Sequence, residues 1–241
     1  MKRFTMLVFL AAAIAAIAAA ASAHAGSAAT SSDPPAVATK FPAAGELAVN
    51  SVIARREANP TAAKIKVFHY FRPDYRIQQI LAIGTKTGSD GKTWYHISVP
   101  MRPNGTHGWI PASAADLTPT VALIVVHVGR RTIEVFRHGK HVLHGKVAVG
   151  APGMETPLGH YYVAATFVPD VPFLGVYALE TSAYSKLTEW PGGGVVGIHG
   201  TNEPWLLGKA VSHGCVRVSN TTAAALKRLT PLGTPINIVK N

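Results

Sequence analysis

Beyond residue 45, the apolar positions fall in short runs, often alternating with polar ones and broken by Gly, Pro, Asn or Asp. That pattern predicts β-strands joined by tight turns. One run covers 77–83 and ends at Gly84. Ser89-Asp90-Gly91-Lys92 reads as a hairpin turn leading into a strand over 93–99, and a last short strand starts at Gly108-Trp109-Ile110. From residue 121 the runs 121–128, 132–136 and 141–149 are separated by Gly129-Arg130 and His138-Gly139-Lys140, which predicts an antiparallel meander. Further strands are expected over 161–168, 195–199 and 235–239. Ser219-Asn220 is placed to cap one helix running to about residue 229, with Leu226 and Leu229 on one face. The expected fold class is all-β with minor helix.

The N-terminus has a different pattern. Lys2 and Arg3 precede an unbroken apolar stretch over 4–20, followed by Ala21-Ser22-Ala23 and Ala23-His24-Ala25. This is the layout of a secretory signal peptide with small-x-small cleavage sites, assigned to 1–25. It predicts an exported protein, acting at the cell wall, in the periplasm or outside the cell, without a permanent membrane span. Residues 26–45 are rich in Ala, Ser, Thr and Pro and read as a flexible linker.

Composition narrows the function classes. Of 241 residues, 48% are hydrophobic and 15% charged, so the chain has the material for packed cores and is not a disordered polymer. The formal charge of +11 falls to +9 once Lys2 and Arg3 are removed. The basic residues are spread along the chain without a nucleic-acid motif, so the surplus points to anionic wall polymers and not to nucleic acid. A single cysteine excludes an internal disulfide and a multi-cysteine metal site.

That cysteine, Cys215, lies in the segment where the chemistry concentrates, with His199, His213 and Arg217 nearby. A thiol is mostly protonated at neutral pH, and an imidazole or a positive charge beside it raises the thiolate fraction. His199 can meet Cys215 only if the chain doubles back, which Pro204 and Gly208 allow. The amides of Gly214 and Cys215 are candidate oxyanion donors. A buried inert thiol is the alternative for a lone cysteine, but these neighbours are polar and positive.

Three stretches carry a family resemblance. They are His199-Gly200-Thr201-Asn202, Ser212-His213-Gly214-Cys215-Val216-Arg217, and Thr156-Pro157-Leu158-Gly159-His160-Tyr161. Together they resemble the signature of the YkuD-type L,D-transpeptidase catalytic domain, over residues 121–240. Val216 stands where Ile is common, and His160-Tyr161 where Thr-Phe or Thr-Tyr is usual. The resemblance implies a β-sandwich-like catalytic domain that acts on peptidoglycan stem peptides, needs no cofactor or metal, and is acylated by carbapenems. In it, Cys215 is the nucleophile attacking the diamino acid–D-Ala bond. A thioester forms and passes to an acceptor amine, giving a 3→3 cross-link, or to water in L,D-carboxypeptidation. His199 is the proton donor and acceptor, oriented by the carbonyl of Gly200. His213 tunes the thiolate or binds substrate. Ser212 steadies the loop or assists the oxyanion site, which the Gly214 amide serves. Arg217 either binds a substrate carboxylate or makes a structural ion pair. Thr201 and Trp205 are candidate substrate contacts, with core packing as the alternative for Trp205. The stretch 169–194 is expected to be a lid.

Residues 46–117 resemble a bacterial SH3 domain through Asp90-Gly91-Lys92-Thr93-Trp94-Tyr95-His96-Ile97 and Gly108-Trp109-Ile110. Trp94, Tyr95 and Trp109 either form a binding groove or fill a small barrel. His138, His141 and His144 give an H-x2-H-x2-H run, but they straddle a turn and are not expected to converge on a metal. Ser89-x-x-Lys92 formally matches a serine acyl-enzyme motif, but without its companion motifs. Two other readings compete with the transferase. A wall-directed cysteine peptidase would usually place Cys before His, the reverse of the order here. A non-catalytic wall-binding protein would have no need of the complete His/Ser/His/Gly/Cys/Arg set.

Overall fold

A computed structural model describes residues 36–189 and 191–241. The expected signal peptide, the first half of the linker and Trp190 lie outside the described residues. Seven strands precede residue 120: β1 (Ala43–Leu47), β2 (Ser51–Arg55), β3 (Lys64–His69), β4 (Gln79–Thr87), β5 (Thr93–Ser98), β6 (His107–Pro111) and β7 (Ala115–Pro119). They form one sheet in the order β3-β2-β6-β5-β4-β1-β7. The β4–β5 hairpin turns as expected. Asp90 accepts from the Lys92 amide at 3.1 Å and the Trp94 indole N–H at 2.9 Å, and Gly91 sits at φ 74°.

The linker ends earlier than its composition suggests. Ala38 donates its N–H to the Tyr95 hydroxyl at 2.8 Å, Phe41 packs edge-on against the same ring, and Ala43 is fully buried. Small side chains resemble a tether in composition, yet they also let β1 lie closely between β4 and β7. Trp94 and Tyr95 belong to the core, both almost fully buried. Of the three aromatics, only Trp109 remains partly exposed, stacked on His96 at 4.5 Å with Lys86 over its ring.

The second sheet has nine strands: β8 (Ala122–His127), β9 (Thr132–Arg137), β10 (Lys140–Gly150), β11 (Gly159–Phe167), β12 (Ala178–Tyr184), β13 (Val195–His199), β14 (Ala210–Ser212), β15 (Val216–Val218) and β16 (Pro235–Val239). Their order is β14-β10-β15-β13-β12-β11-β16-β8-β9, and β10 also pairs with β9, so the sheet closes on itself. Alternation decides which side chains face inward. Ile124 and Val126 of β8 meet Val135 and Ile133 of β9 across the ladder, and all four are fully buried. The chain is mostly β with a single α-helix among the described residues, α1 (Asn220–Leu229). The Ser219 hydroxyl accepts from the Thr222 amide at 3.1 Å, Leu226 is buried, and Lys227 and Arg228 sit in the last turn, where the helix dipole favours them.

The expected lid over 169–194 is not one loop. Its middle is β12, paired with both β11 and β13. Glu180 and the run of Thr, Ser and Ala in this strand hide its apolar period.

Between the two sheets, Ala44, Leu81, Tyr162 and Ala164 form an apolar cluster, and the Tyr162 hydroxyl donates to the Gln79 carbonyl at 3.1 Å. Glu180 receives both Arg72 and Arg76 from the first sheet's β3–β4 connection, Arg76 at 2.7 Å. Arg102 donates to the carbonyls of Ser185 (3.0 Å) and Gly193 (2.9 Å), while Asn104 exchanges two hydrogen bonds with the Tyr184 backbone. Glu180→Gln removes the charge on which two guanidinium groups converge. Stability is expected to fall by about 1.5–3 kcal/mol, the range for charged hydrogen bonds, measured by urea denaturation. A change within 0.5 kcal/mol, the usual range for surface substitutions, would show that this contact holds nothing together.

Candidate active site

The site is built where β13 ends and β15 begins. These strands run parallel, with Ile198 beside Val216 and His199 beside Arg217. Parallel neighbours need a long crossover, which residues 200–215 supply through a 3-10 turn at Pro204–Leu206 and the short strand β14. The chain therefore does double back, with Gly208 at φ 93°.

Gly197 is where the imidazole and the thiol come together. Its N–H donates to Cys215 Sγ at 3.3 Å. A β-carbon on Gly197 would lie 3.7 Å from His199 Cδ2 and 3.8 Å from Cys215 Sγ. The absent side chain leaves both groups facing one small space.

His199 is buried, and its Nδ1 lies 2.6 Å from the carbonyl oxygen of Gly200. A carbonyl only accepts, so Nδ1 carries the hydrogen and Nε2 keeps a lone pair. Burial pushes the His199 pKa down to about 4; the Gly200 carbonyl opposes the shift and the Arg217 charge adds to it. For Cys215 the dominant effect is also burial, which pushes the thiol pKa up against the Gly197 N–H and the Arg217 charge. Burial thus opposes the positive neighbours that the sequence offers, and it favours the uncharged form of both groups.

The remaining candidates divide. The Ser212 hydroxyl donates to the Cys215 carbonyl at 2.5 Å and accepts from the Gly214 N–H at 3.2 Å, which ties the turn together. The Gly214 amide, a candidate oxyanion donor, thus has a partner within the turn. Gly214 itself sits at φ 114°, and a β-carbon there would lie 3.0 Å from Ser185 Cβ, so the position requires glycine. His213 is exposed on the same turn. Arg217 pairs with Glu203 Oε2 at 2.8 Å, which favours the structural ion pair over a substrate carboxylate. Thr201, expected as a substrate contact, is buried, and its hydroxyl oxygen accepts from the Glu203 N–H at 3.0 Å. Trp205 is 66% exposed on the crossover, which excludes core packing.

Sequence reasoning missed Asn220. Its Oδ1 accepts from the N–H groups of Val176 and Thr201, both at 3.2 Å, and so ties the segment before β12 and the residue after Gly200 to the start of α1. The only signal was an amide side chain directly after the cap residue. Beside the Ser212–Cys215 turn, Arg102, Asn104, Glu155, Tyr184, Ser185 and Lys186 line a cavity of about 660 Å³. It also takes in Thr156, Pro157 and Leu158 of the predicted turn.

The low pKa of His199 links stability to pH. An unfolded histidine titrates near 6.5, the folded one near 4. Between these values the unfolded chain takes up a proton that the folded chain refuses. Stability is therefore lost as pH falls from about 6.5 towards 4, by up to roughly 3 kcal/mol. Urea denaturation at pH 7 and 4.5 should show this loss reduced in His199→Gln. An identical pH slope in both proteins would refute it.

Comparison with known proteins was made on sequence and on structure. The family model for the L,D-transpeptidase catalytic domain, YkuD, matches residues 121–238. A Bacillus licheniformis protein carrying the name L,D-transpeptidase YkuD is 34% identical over 158 residues, covering 62% of this chain and 89% of that protein. Its Bacillus subtilis namesake is 34% identical over 116 residues, covering 48% of this chain and 64% of its own length. Among solved structures, an L,D-transpeptidase from Mycobacterium smegmatis aligns with 61% of this chain and 89% of its own, at 16% identity and a TM-score of 0.41. L,D-transpeptidase 3 from Mycobacterium tuberculosis covers 80% and 98%, at 14% identity and a TM-score of 0.43.

Proposed function

The chain belongs to the L,D-transpeptidase (YkuD) family, and on that premise we propose that it is a cysteine acyltransferase that cross-links peptidoglycan stem peptides outside the cytoplasm. The observation that carries the proposal is the pairing at Gly197. A thiol and a neutral imidazole face the same space, and the imidazole tautomer is fixed by the Gly200 carbonyl.

The steps follow from those groups. His199 Nε2 takes the proton of Cys215 as Sγ attacks the carbonyl of the stem's diamino acid. The tetrahedral oxyanion forms next to the Cys215 amide, since the Gly214 amide is held by Ser212. On collapse, His199 returns its proton to the departing D-Ala amine, leaving a thioester. An amine from a second stem then attacks, and His199 removes its proton. The S–C bond breaks, a 3→3 amide forms, and the thiol is restored. Water in place of the amine gives L,D-carboxypeptidation. Proton transfer inside a neutral pair needs no preformed thiolate, which suits the raised thiol pKa. His213, exposed on the turn, is assigned to substrate contact, and Arg217 to holding the crossover through Glu203. We further assign 1–25 to a signal peptide, 46–117 to an SH3-like module, and 121–240 to the catalytic domain. Net positive charge favours association with anionic wall polymers.

The test is mass spectrometry of the mature protein with a disaccharide-tetrapeptide, and separately with a carbapenem. The parent should give a cross-linked dimer lacking one D-Ala and a covalent carbapenem adduct. Cys215→Ala should give neither. His199→Ala should slow acylation by at least about 10²-fold, and His213→Lys should keep appreciable activity. Product formation by Cys215→Ala would overturn the mechanism, and complete loss in His213→Lys would show the two histidines to be reversed.

A further inference from the structure

We propose that the β9–β10 hairpin carries a binding site for a divalent transition-metal ion, formed by Glu134, His141 and His144. One carboxylate oxygen and one ring nitrogen from each histidine all lie within 4.8 Å of one another. His144 Nδ1 is 3.8 Å from Glu134 Oε1. The grouping is separate from Cys215 and plays no part in the acyl-transfer chemistry.

The hairpin's register makes the site. Residues 141 and 144 are three apart, so in an unbroken strand they would face opposite sides. The pairing shifts between His141, opposite Phe136, and Leu143, opposite Val135. That irregularity adds a residue to one strand and turns both histidines to the face of Glu134, the partner of His144 across the ladder. His138 remains in the turn at φ 49° and does not join them. The three histidines do not all converge, as expected, but two of them do, and a glutamate from the opposite strand completes the set.

The donor chemistry selects the ion. Two imidazoles and one carboxylate suit zinc, nickel or copper(II), whereas calcium and magnesium call for oxygen ligands. Ligands on tetrahedral zinc are about 3.4 Å apart, so the grouping has to tighten by a small amount. Both histidines are exposed and can rotate, while Glu134 is partly buried and anchors the site. The other carboxylate oxygen, Oε2, faces His127 Nε2 at 3.4 Å, an outer partner of the kind that orients a ligating carboxylate. The Phe136 ring packs against His141 at 5.3 Å and limits where that imidazole can swing. An ion there would clip β9 to β10 and stabilise the folded chain by mass action.

The test uses the full mature chain carrying Cys215→Ala, so that the thiol cannot act as a zinc ligand. Zn²⁺ is titrated by calorimetry, and thermal unfolding is followed with and without it. One ion per chain and a raised Tm are expected. Adding His141→Ala and His144→Ala should weaken binding at least tenfold and abolish the Tm shift, with the metal-free Tm unchanged; Glu134→Gln should weaken it to a lesser degree. Because His141 is exposed, the single His141→Ala variant serves if the double variant folds poorly. No zinc uptake by the parent would overturn the proposal. So would undiminished uptake by the variants, which would move the ion elsewhere, for example to the neighbouring rings of His96 and His107.

Discussion

The parallel pairing of β13 with β15 is the constraint on which the site rests. It sets Ile198 beside Val216 and His199 beside Arg217, and so leaves Cys215 one step from the Gly197 amide. A parallel pair cannot be joined by a tight turn, and the crossover that joins it supplies Gly200, Thr201, Glu203 and Ser212. Each then does structural work close to the reacting groups. Gly200 fixes the imidazole tautomer, Thr201 receives the Glu203 amide, Glu203 neutralises Arg217, and Ser212 ties the thiol's own turn. Asn220 closes the arrangement from the helix side by holding the Thr201 amide and that of Val176, just before β12.

The same burial that orders these groups decides their charge. Desolvation acts on the thiol and the imidazole in opposite pKa directions but to one effect, since it favours the uncharged form of each. Arg217 is the nearby cation, and its pairing with Glu203 limits what it can contribute to a thiolate. On the proposed mechanism the thiol is deprotonated during attack, by the imidazole whose tautomer the Gly200 carbonyl fixes.

Much of this was legible in the sequence, and what was missed has identifiable causes. The β9 and β10 strands, the cap at Ser219 and the doubling back between His199 and Cys215 follow from alternation, capping chemistry and turn residues, which act locally. β12 was hidden because a strand flanked on both sides can carry Glu180 and small polar residues when partners elsewhere receive them. The docking of Ala38, Phe41 and Ala43 on the first sheet was hidden because alanine and proline look the same in a tether and in a tight strand. In the candidate site, residue identities could be read but their engagements could not. Whether Arg217 meets a substrate or Glu203, and whether the Gly214 amide is open or bonded to Ser212, depends on distances that spacing does not encode. The hairpin histidines show the same limit, because one register shift changes which side chains share a face.

A line of contacts also joins the first sheet to the Cys215 turn. Arg102, on the β5–β6 connection, holds the Ser185 and Gly193 carbonyls, and Asn104 pairs with the Tyr184 backbone as a strand would. Ser185 in turn lies so close to Gly214 that no side chain fits there. Gly214 is the residue whose left-handed backbone presents Cys215. The position of Cys215 is thus bounded on one face by its own sheet, through Gly197, and on the other by a segment that the first sheet holds in place. An N-terminal module that served only to tether the enzyme would need no such grip. The Arg102 guanidinium and the Asn104 amide reach the wall of the cavity beside the Ser212–Cys215 turn, so the first sheet helps to shape that cavity.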